Sequence, residues 1–355
     1  MRAPCIIAEI GVNYYDVSKK LGIPLIHAAK EMIFECKKAG VNAVKFQTYK
    51  ADKLAANHSP SYWDQKEEPI TSQKELFSKF DKFGEADYKE MAKYCREIDI
   101  EFMSTAFDFK SADFIDKLVF RHKIASADIT NFPLLGRIAK YGKPVILSTG
   151  ASQLEEIVEA VDFLRKKGCK DLTLLHCILS YPTAVENANL WKIQSLKKHF
   201  TDCKIGISDH TIFNLDVLST AWLLGVTVIE KHVTLDKKLK GNDHYHAGDP
   251  DDFKKLSNKI QFLKKIYGEE STNWTFECER DARKNARRGV YLSRDVEKGD
   301  KLRHEHVAFL RPQLDGISPK QIVSYIENNA SYLVGLEKGT LIKKEYISST
   351  MKISI

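Results

Sequence analysis

Two histidines stand where short apolar runs end: His210 in "GISDHT" and His232 in "VIEKHVT". If those runs are adjacent strands, about 4.8 Å apart, their imidazoles could grip one divalent ion. Neutral imidazole suits Mn, Fe, Co or Zn better than Mg or Ca. Two protein nitrogens leave positions open for water and substrate, as in a catalytic site. The competing reading is two histidines satisfied by backbone groups. A second set surrounds Lys45 in "AVKFQT". Strand alternation turns Val44 and Phe46 outward and Ala43, Lys45 and Gln47 inward. An inward lysine is costly unless it meets an anion. The same alternation turns Ile6, Ala8 and Ile10 outward and leaves Glu9 inside. Lys123 opens another run, and Thr105, Ser126, Ser148 and Ser208 close others. Each hydroxyl alone reads more readily as a strand-end cap. Gathered at one rim with two ammonium groups, they make a cradle for phosphate and carboxylate. His244 and His246 in "NDHYHAGDP" lack helical chelate spacing and fit either a pocket wall or a surface loop. His176 and Cys177 read as lining, because a cysteine nucleophile needs a base and an orienting group that the sequence does not supply.

The elements that would position these groups alternate. Strand candidates are Cys5–Ile10, Ala43–Gln47, Glu101–Thr105, Lys123–Ser126, Pro144–Ser148, Leu172–Cys177, Lys204–Ser208 and Val226–Glu230. Amphipathic helical stretches such as Pro24–Ala39, Glu85–Glu97, Leu154–Lys167, Leu215–Leu224 and Asp251–Ile266 lie between and after them. Eight such units in about 260 residues favour a (β/α)8 barrel over an open doubly wound sheet, with chemistry at the C-terminal strand ends. Asp52–Phe83 breaks the rhythm. It would open on the catalytic face, as a lid or substrate loop or as a packed surface excursion. After Ile266 the pattern changes. A polar stretch, Tyr267–Asn285, precedes short segments at Gly289–Leu292, Val296–Leu302, Val307–Arg311, Ile322–Ile326 and Thr340–Ile347. "VEKGDKL" and "LEKGTLI" place similar charged turns before apolar residues. The expected organisation is a barrel over 1–268, a linker over 269–286 and a small β-rich domain over 287–352.

With 43% hydrophobic and 29% charged residues in 355, the chain reads as a globular protein with room for two cores. No apolar run reaches the roughly 20 residues of a membrane span. The first strand candidate begins at Cys5, leaving no room for a leader. Seven scattered cysteines without a CxxC pair read as reduced thiols, so a cytoplasmic location is expected. The net charge is +7, and its one cluster is Arg280, Arg283, Lys284, Arg287 and Arg288. That cluster reads as a solvated linker helix or a rim attracting an anion. No aromatic-rich basic pattern accompanies it, so nucleic acid is not an expected partner. GxGxxG after a strand, the P-loop and the GxSxG elbow are all missing.

The segments "IIAEIGVN", "AVKFQTYKAD", "EFMSTAFD", "KIASADITNFPLL", "GKPVILSTGAS", "LLHCILSYPT", "IGISDHT" and "EKHVTLD" resemble, in order, the sialic acid (N-acetylneuraminate) synthase family. "GVYLSRDVEKGDKLRHEHVAFLRP" is similar to that family's C-terminal SAF, or antifreeze-like, domain. The resemblance spans roughly residues 3 to 350. It implies a transferase that condenses phosphoenolpyruvate with an N-acetylmannosamine-like sugar, forming a C–C bond and releasing phosphate. Lys45, Lys123, Thr105, Ser126, Ser148 and Ser208 would hold phosphoenolpyruvate. Glu9 would orient the sugar or water and handle a proton. A divalent ion on His210 and His232, Mn ahead of Mg or Co, would polarise the aldehyde. Gln47, Asp128, Tyr181 and Asp243 match sugar contacts of the family. Arg311 matches an arginine that one subunit inserts into its partner, implying a domain-swapped homodimer. Some members carry Glu at the position of Asp128 and Asn at that of Leu179. "HYHAGDP" and the Tyr15–Pro24 loop also depart from the simplest members. The alternatives are a diacetamido sugar giving legionaminic or pseudaminic acid, an octulosonate- or heptulosonate-type barrel, or a non-catalytic sugar-binding protein.

Overall fold

The computed structural model describes residues 2–241 and 243–348. It divides into two compact units, Met1–Gly268 and Glu269–Ile355. In the first, eight parallel strands close into a barrel: β1 (Cys5–Gly11), β2 (Ala43–Thr48), β3 (Glu101–Ala106), β4 (His122–Ile124), β5 (Val145–Ser148), β6 (Leu172–Cys177), β7 (Lys204–Asp209) and β8 (Val228–His232), with β8 pairing back to β1. Both faces are covered, so the strands read as near-continuous apolar runs. Ile6, Ala8, Ile10, Val44 and Phe46 face the helices, in one core with Met32, Ile33, Met91, Leu164 and Trp222. Ile7, Ala43, Met103, Ile146, Leu175 and Val228 point inward and form a separate apolar floor. That floor closes only because β7 carries Gly206. A Cβ there would lie 2.5 Å from Leu175 Cδ2 and 2.7 Å from the Val228 carbonyl oxygen.

Local signals set the helix starts. Asp249 accepts from the Asp252 amide, Asp252 returns a carboxylate to the Asp249 amide, and Pro250 occupies the first turn of the closing helix Pro250–Tyr267. Asn214 caps Leu215–Leu223 by accepting from the Asp216 and Val217 amides.

Two strands differ from the sequence reading by more than one residue at an end. β4 stops at Ile124, and Ser126–Asp128 form a single tight turn that lifts Ser126 to the rim. β8 runs two residues further than expected, because its register with β1 pairs Cys5 with Val228 and Glu9 with His232. His232 is therefore the last residue of the strand. The excursion after β2 folds into short helices, Ala51–Leu54 and Gln73–Phe80, around its own apolar cluster of Val12, Tyr49, Trp63, Leu76 and Phe80. The Trp63 indole N–H fixes it by donating to the carbonyls of Glu68 and Ile70, both at 3.1 Å.

The second unit has its own core of Val290, Leu292, Leu302, Ile317, Ile322 and Ile342. β9 (Gly289–Leu292) and β10 (Val307–Leu310) pair antiparallel. Ile322–Ile326, expected among the β segments, is instead helical within Pro319–Glu327. Ser318 caps that helix, and the Gln321 side chain closes the capping box. The two similar phrases meet: the Val296 amide donates to Leu336 at 3.0 Å, and the Leu336 amide returns the bond at 2.9 Å. The basic cluster sits on and just after an exposed helix, Arg280–Asn285. Positions 349–352 of the expected C-terminal domain lie outside the described residues. Among the described residues, no helix is long and apolar enough to cross a membrane.

Candidate active site

Directly above the apolar floor, each strand contributes one inward side chain: Glu9, Lys45, Thr105, Lys123, Ser148, Cys177, Ser208 and Glu230, from β1 to β8 in turn. All eight line a cavity of about 430 Å³ at the C-terminal strand ends. Gln47, Ser126, Asp128, Leu179, Tyr181, His210 and His232 line it as well. Every site residue expected from sequence is therefore in this cavity except two. Asp243 lines an adjoining cavity of about 110 Å³, which shares Gln47, Tyr62, Phe77, Tyr181 and His232 with the first. Arg311 is exposed in the second unit, just after β10.

The charges in this ring balance. Lys45 forms an ion pair with Glu9, and its ammonium lies 3.2 Å from Thr105 Oγ1 and 3.9 Å from Glu230 Oε1. Lys123 donates to Ser148 Oγ at 2.7 Å and to the Ile124 carbonyl at 3.0 Å, with Glu230 Oε1 again at 3.9 Å. Glu230 accepts from Ser208 Oγ at 3.0 Å. The anion that an inward lysine requires is thus supplied partly by the protein. Burial disfavours the Lys45 charge, yet Glu230 and Glu9 outweigh burial and hold its pKa above the usual lysine range. Lys123 is lowered, because burial there exceeds the pull of Glu230. Burial raises the Glu9 carboxyl against the pull of Lys45. Glu230 is lowered, since Lys123 and Lys45 together overcome its burial. The sequence reading missed Glu230. The signal was present: it stands two residues before His232, on the same strand face.

The other side of the rim is built by β7, β8 and the segment that follows β8. The His210 Nδ1–H donates to the Ile178 carbonyl at 2.7 Å, which leaves Nε2 with its lone pair. The chain then runs back along the end of β8, with the Gly248 amide donating to the His232 carbonyl at 2.9 Å. Glycine is needed there: a Cβ at Gly248 would lie 2.8 Å from Phe213 Cδ2 and 3.0 Å from Phe253 Cε2. The Asn13 amide group staples the return by donating to the carbonyls of Val233 at 2.9 Å and Asp243 at 3.2 Å. These contacts carry His246 to a ring-centroid distance of 5.1 Å from His232, with His210 at 5.7 Å from His232. Tyr181 packs on His210 at 4.2 Å.

His232, Asp243 and His246 offer ligand atoms that all lie within 4.8 Å of one another. His232 Nδ1 and both ring nitrogens of His246 are buried without a hydrogen-bond partner among the described residues. A buried polar atom left unpaired is costly, so these donors fit a divalent ion. Burial, then the neighbouring imidazoles, holds His232 well below the usual histidine pKa. Burial also pushes His210 down to about 4 and His246 down to about 2. Neutral imidazole is the form that ligates. Burial and Glu9 push Asp243 up to about 7, against the pull of Lys45. Cys177 is raised to about 11 by burial, which argues against a thiolate nucleophile.

Beneath this side, facing the helices, lies a buried ion pair that the sequence reading also missed. Lys231 Nζ is 2.8 Å from Asp209 Oδ2 and also donates to the Thr211 carbonyl. Asp209 accepts from the Thr211 amide at 3.1 Å and its hydroxyl at 3.0 Å. The pair joins the residue before His210 to the residue before His232.

A family model described as the NeuB family matches residues 32–272. The chain belongs to the NeuB family. It is 41% identical over 309 residues to an uncharacterized protein of Methanocaldococcus jannaschii, covering 86% of this chain and 84% of that one. It is 35% identical over 350 residues to the N,N'-diacetyllegionaminic acid synthase of Legionella pneumophila, covering 97% and 94%. The solved N-acetylneuraminic acid (sialic acid) synthetase from Leptospira borgpetersenii, in complex with citrate, matches with a TM-score of 0.68 at 31% identity, over 79% of this chain and 90% of that one. The family is one of synthases, and this chain is an enzyme of it.

Proposed function

We propose that the chain condenses phosphoenolpyruvate with an open-chain N-acylmannosamine-like sugar to give a nonulosonic acid. C3 of the enol bonds to the sugar's aldehyde carbon, whose oxygen takes a proton. Water adds at C2, and phosphate leaves. The observation that carries this reading is the ring of one functional side chain per strand over an apolar floor, with its two ammonium groups on one side and imidazoles on the other. Lys45 and Lys123 bind the phosphate and carboxylate, assisted by Thr105, Ser126, Ser148 and Ser208. An arriving substrate anion competes with Glu9 for Lys45, and the released Glu9 carboxylate orients the attacking water and takes its proton. Glu230 stays between the two lysines and favours the charged form of each. Gln47, Asp128, Tyr181 and Asp243 orient the sugar, so that its aldehyde lies beside the enol carbon. A divalent ion at His232, with His210 across the rim, would supply Lewis-acid polarisation of the aldehyde; Mn suits this nitrogen-rich set better than Mg.

The second unit corresponds to an SAF-type domain over 287–352 after a linker, and Arg311 from a second copy reaches the sugar, making a domain-swapped homodimer. A cytoplasmic location fits small soluble substrates of this kind.

A diacetamido sugar, giving a legionaminic- or pseudaminic-type acid, is favoured over a phosphorylated sugar by the smaller cavity. Among the described residues its walls include Val12, Tyr49, Trp63, Leu76, Phe77 and Phe80, with Asn13, Asp16, Asp243 and His244 among the polar groups and no lysine or arginine. Such walls suit an acyl methyl and its amide and leave a phosphate uncompensated.

The test is phosphate release from phosphoenolpyruvate across a panel of mono- and diacetamido sugars, with Mn or a chelator, and mass spectrometry of the product. Release that depends on both sugar and ion, with a nine-carbon acid formed, is expected. Release independent of sugar overturns the reading.

A further inference from the structure

Asp16 lines the smaller cavity and has no part in the reaction proposed above. We infer that its carboxylate, backed by His244, accepts the N–H of a second acylamino group on the sugar, remote from the aldehyde, and sets this chain's preference for a doubly acylaminated substrate. This deepens the synthase reading and rests on it.

Asp16 stands in the first turn of the helix Tyr14–Leu21. An acid there suits the helix dipole, and would do so equally well facing solvent. This one borders the cavity instead, with its side chain only 16% exposed. Among the described residues no lysine or arginine pairs with it, and the group that faces it is His244 Nε2 at 3.5 Å. That distance is too long for a good hydrogen bond.

The hydrogen bonds of His244 leave the carboxylate unanswered. Thr234 Oγ1 donates its one proton to the Asp236 carbonyl at 3.2 Å and accepts from the Asp236 amide at 3.1 Å. His244 Nδ1, 2.8 Å from the same oxygen, must then be a donor, so Nε2 keeps its lone pair. Nε2 is buried without a hydrogen-bond partner. Two acceptors therefore face each other beside a cavity walled by Trp63, Leu76 and Phe80. Gly241 preserves their spacing. Its φ is +135°, and a Cβ there would lie 3.1 Å from His244 Cδ2 and 3.3 Å from Asp16 Oδ2.

Such a wall calls for a donor carried on an apolar group. A second acetamido group supplies both: its N–H makes a charge-assisted bond to Asp16, and its methyl meets the aromatic wall. A hydroxyl supplies the donor alone, and a phosphate would set a second anion against the carboxylate. Distance from the reacting carbon decides which acylamino group is read. The one beside the aldehyde lies near Gln47, Tyr181 and His232, which line both cavities. Asp16 and His244 line the smaller cavity alone, so they serve a substituent further along the sugar.

The experiment gives the full-length protein, with phosphoenolpyruvate and Mn, three sugars that differ only in the second substituent: acetamido, O-acetyl or hydroxyl. The O-acetyl group keeps the methyl and removes the N–H. Wild-type kcat/KM is expected to be about 10- to 100-fold higher for the acetamido sugar than for the O-acetyl one, the scale of a hydrogen bond to a charged group. In Asp16→Leu that preference should vanish through a raised KM for the acetamido sugar, with kcat little changed, because the lost contact is remote from the reacting carbon. Asp16→Asn, which keeps an acceptor, should retain part of the preference. A wild-type enzyme that takes the acetamido and O-acetyl sugars equally overturns this inference and leaves the synthase reading standing. So does an Asp16→Leu variant that keeps the preference or loses it through kcat. If Asp16→Leu fails to fold, an undiminished preference in Asp16→Asn overturns it. Turnover of none of the three sugars by the wild type overturns the proposed function itself.

Discussion

The two halves of the barrel rim solve opposite problems. On the side of β2, β4 and the Glu230 carboxylate, every charge has an internal answer: Lys45 meets Glu9, and Lys123 meets Ser148 and Glu230. On the side of β8 and the segment ending at Gly248, buried nitrogens of His232 and His246 stand without partners among the described residues. The first half is a prefilled electrostatic network that a substrate must enter by exchange. The second is built from neutral donors that gain most of their stabilisation from something added. Loss of a group should therefore cost the first half stability and the second half chemistry.

The largest effect tests the second half. His232→Ala should reduce ion-dependent turnover by about a thousandfold, the scale of losing a main electrostatic contributor. In metal-free protein the same change should leave the melting temperature within a few degrees. Full turnover in the purified variant would remove the metal from the mechanism. Next is Lys45→Met, which strands two buried carboxylates. It should lose about 3–5 kcal/mol of stability, which scanning calorimetry would register as a melting point lower by roughly 10 °C. It should also raise the KM for phosphoenolpyruvate. Unchanged melting would mean that Glu9 and Glu230 are already neutral, and the contrast between the halves would collapse. Arg311→Ala, in the second unit, should raise the sugar KM about tenfold with the fold intact, as expected for removing a charge-assisted contact. An unchanged KM counts against an arginine supplied by a second copy. The smallest effect is that of the ion on the wild-type fold. At a hundredfold excess over its Kd, Mn should raise the melting temperature by roughly 5 °C over chelator-treated protein.

How much of this was legible in the sequence follows from which signals are local. Period-two alternation is local, so the inward positions of Glu9, Lys45 and the floor residue Ala43 could be read directly. Glu230 was readable by the same rule, since it closes the expected strand Val226–Glu230 as Ser208 closes another, but a carboxylate there was not singled out. His246 is another case. No periodicity links it to His232; the link is the return of the chain along β8, which depends on Gly248 fitting against Phe213 and Phe253 and on the Asn13 amide reaching Val233 and Asp243. Contacts separated by more than 200 residues leave no spacing to read. The helix at Ile322–Ile326 was misread because its cap, Ser318 with Gln321, lies just ahead of the segment singled out there.

The buried pair between Asp209 and Lys231 carries a consequence for how this rim can vary. Neither charge touches the cavity, yet each belongs to the residue immediately before a histidine. Replacing one alone leaves an ion with no counter-charge where water does not reach, and the two strand ends would slide to relieve it. Replacing both with a matched apolar pair restores solvation balance but unties the turn at Thr211. Positions 209 and 231 thus respond to substitution as one unit: whoever wishes to redesign the imidazole side must treat the yoke behind it as one part.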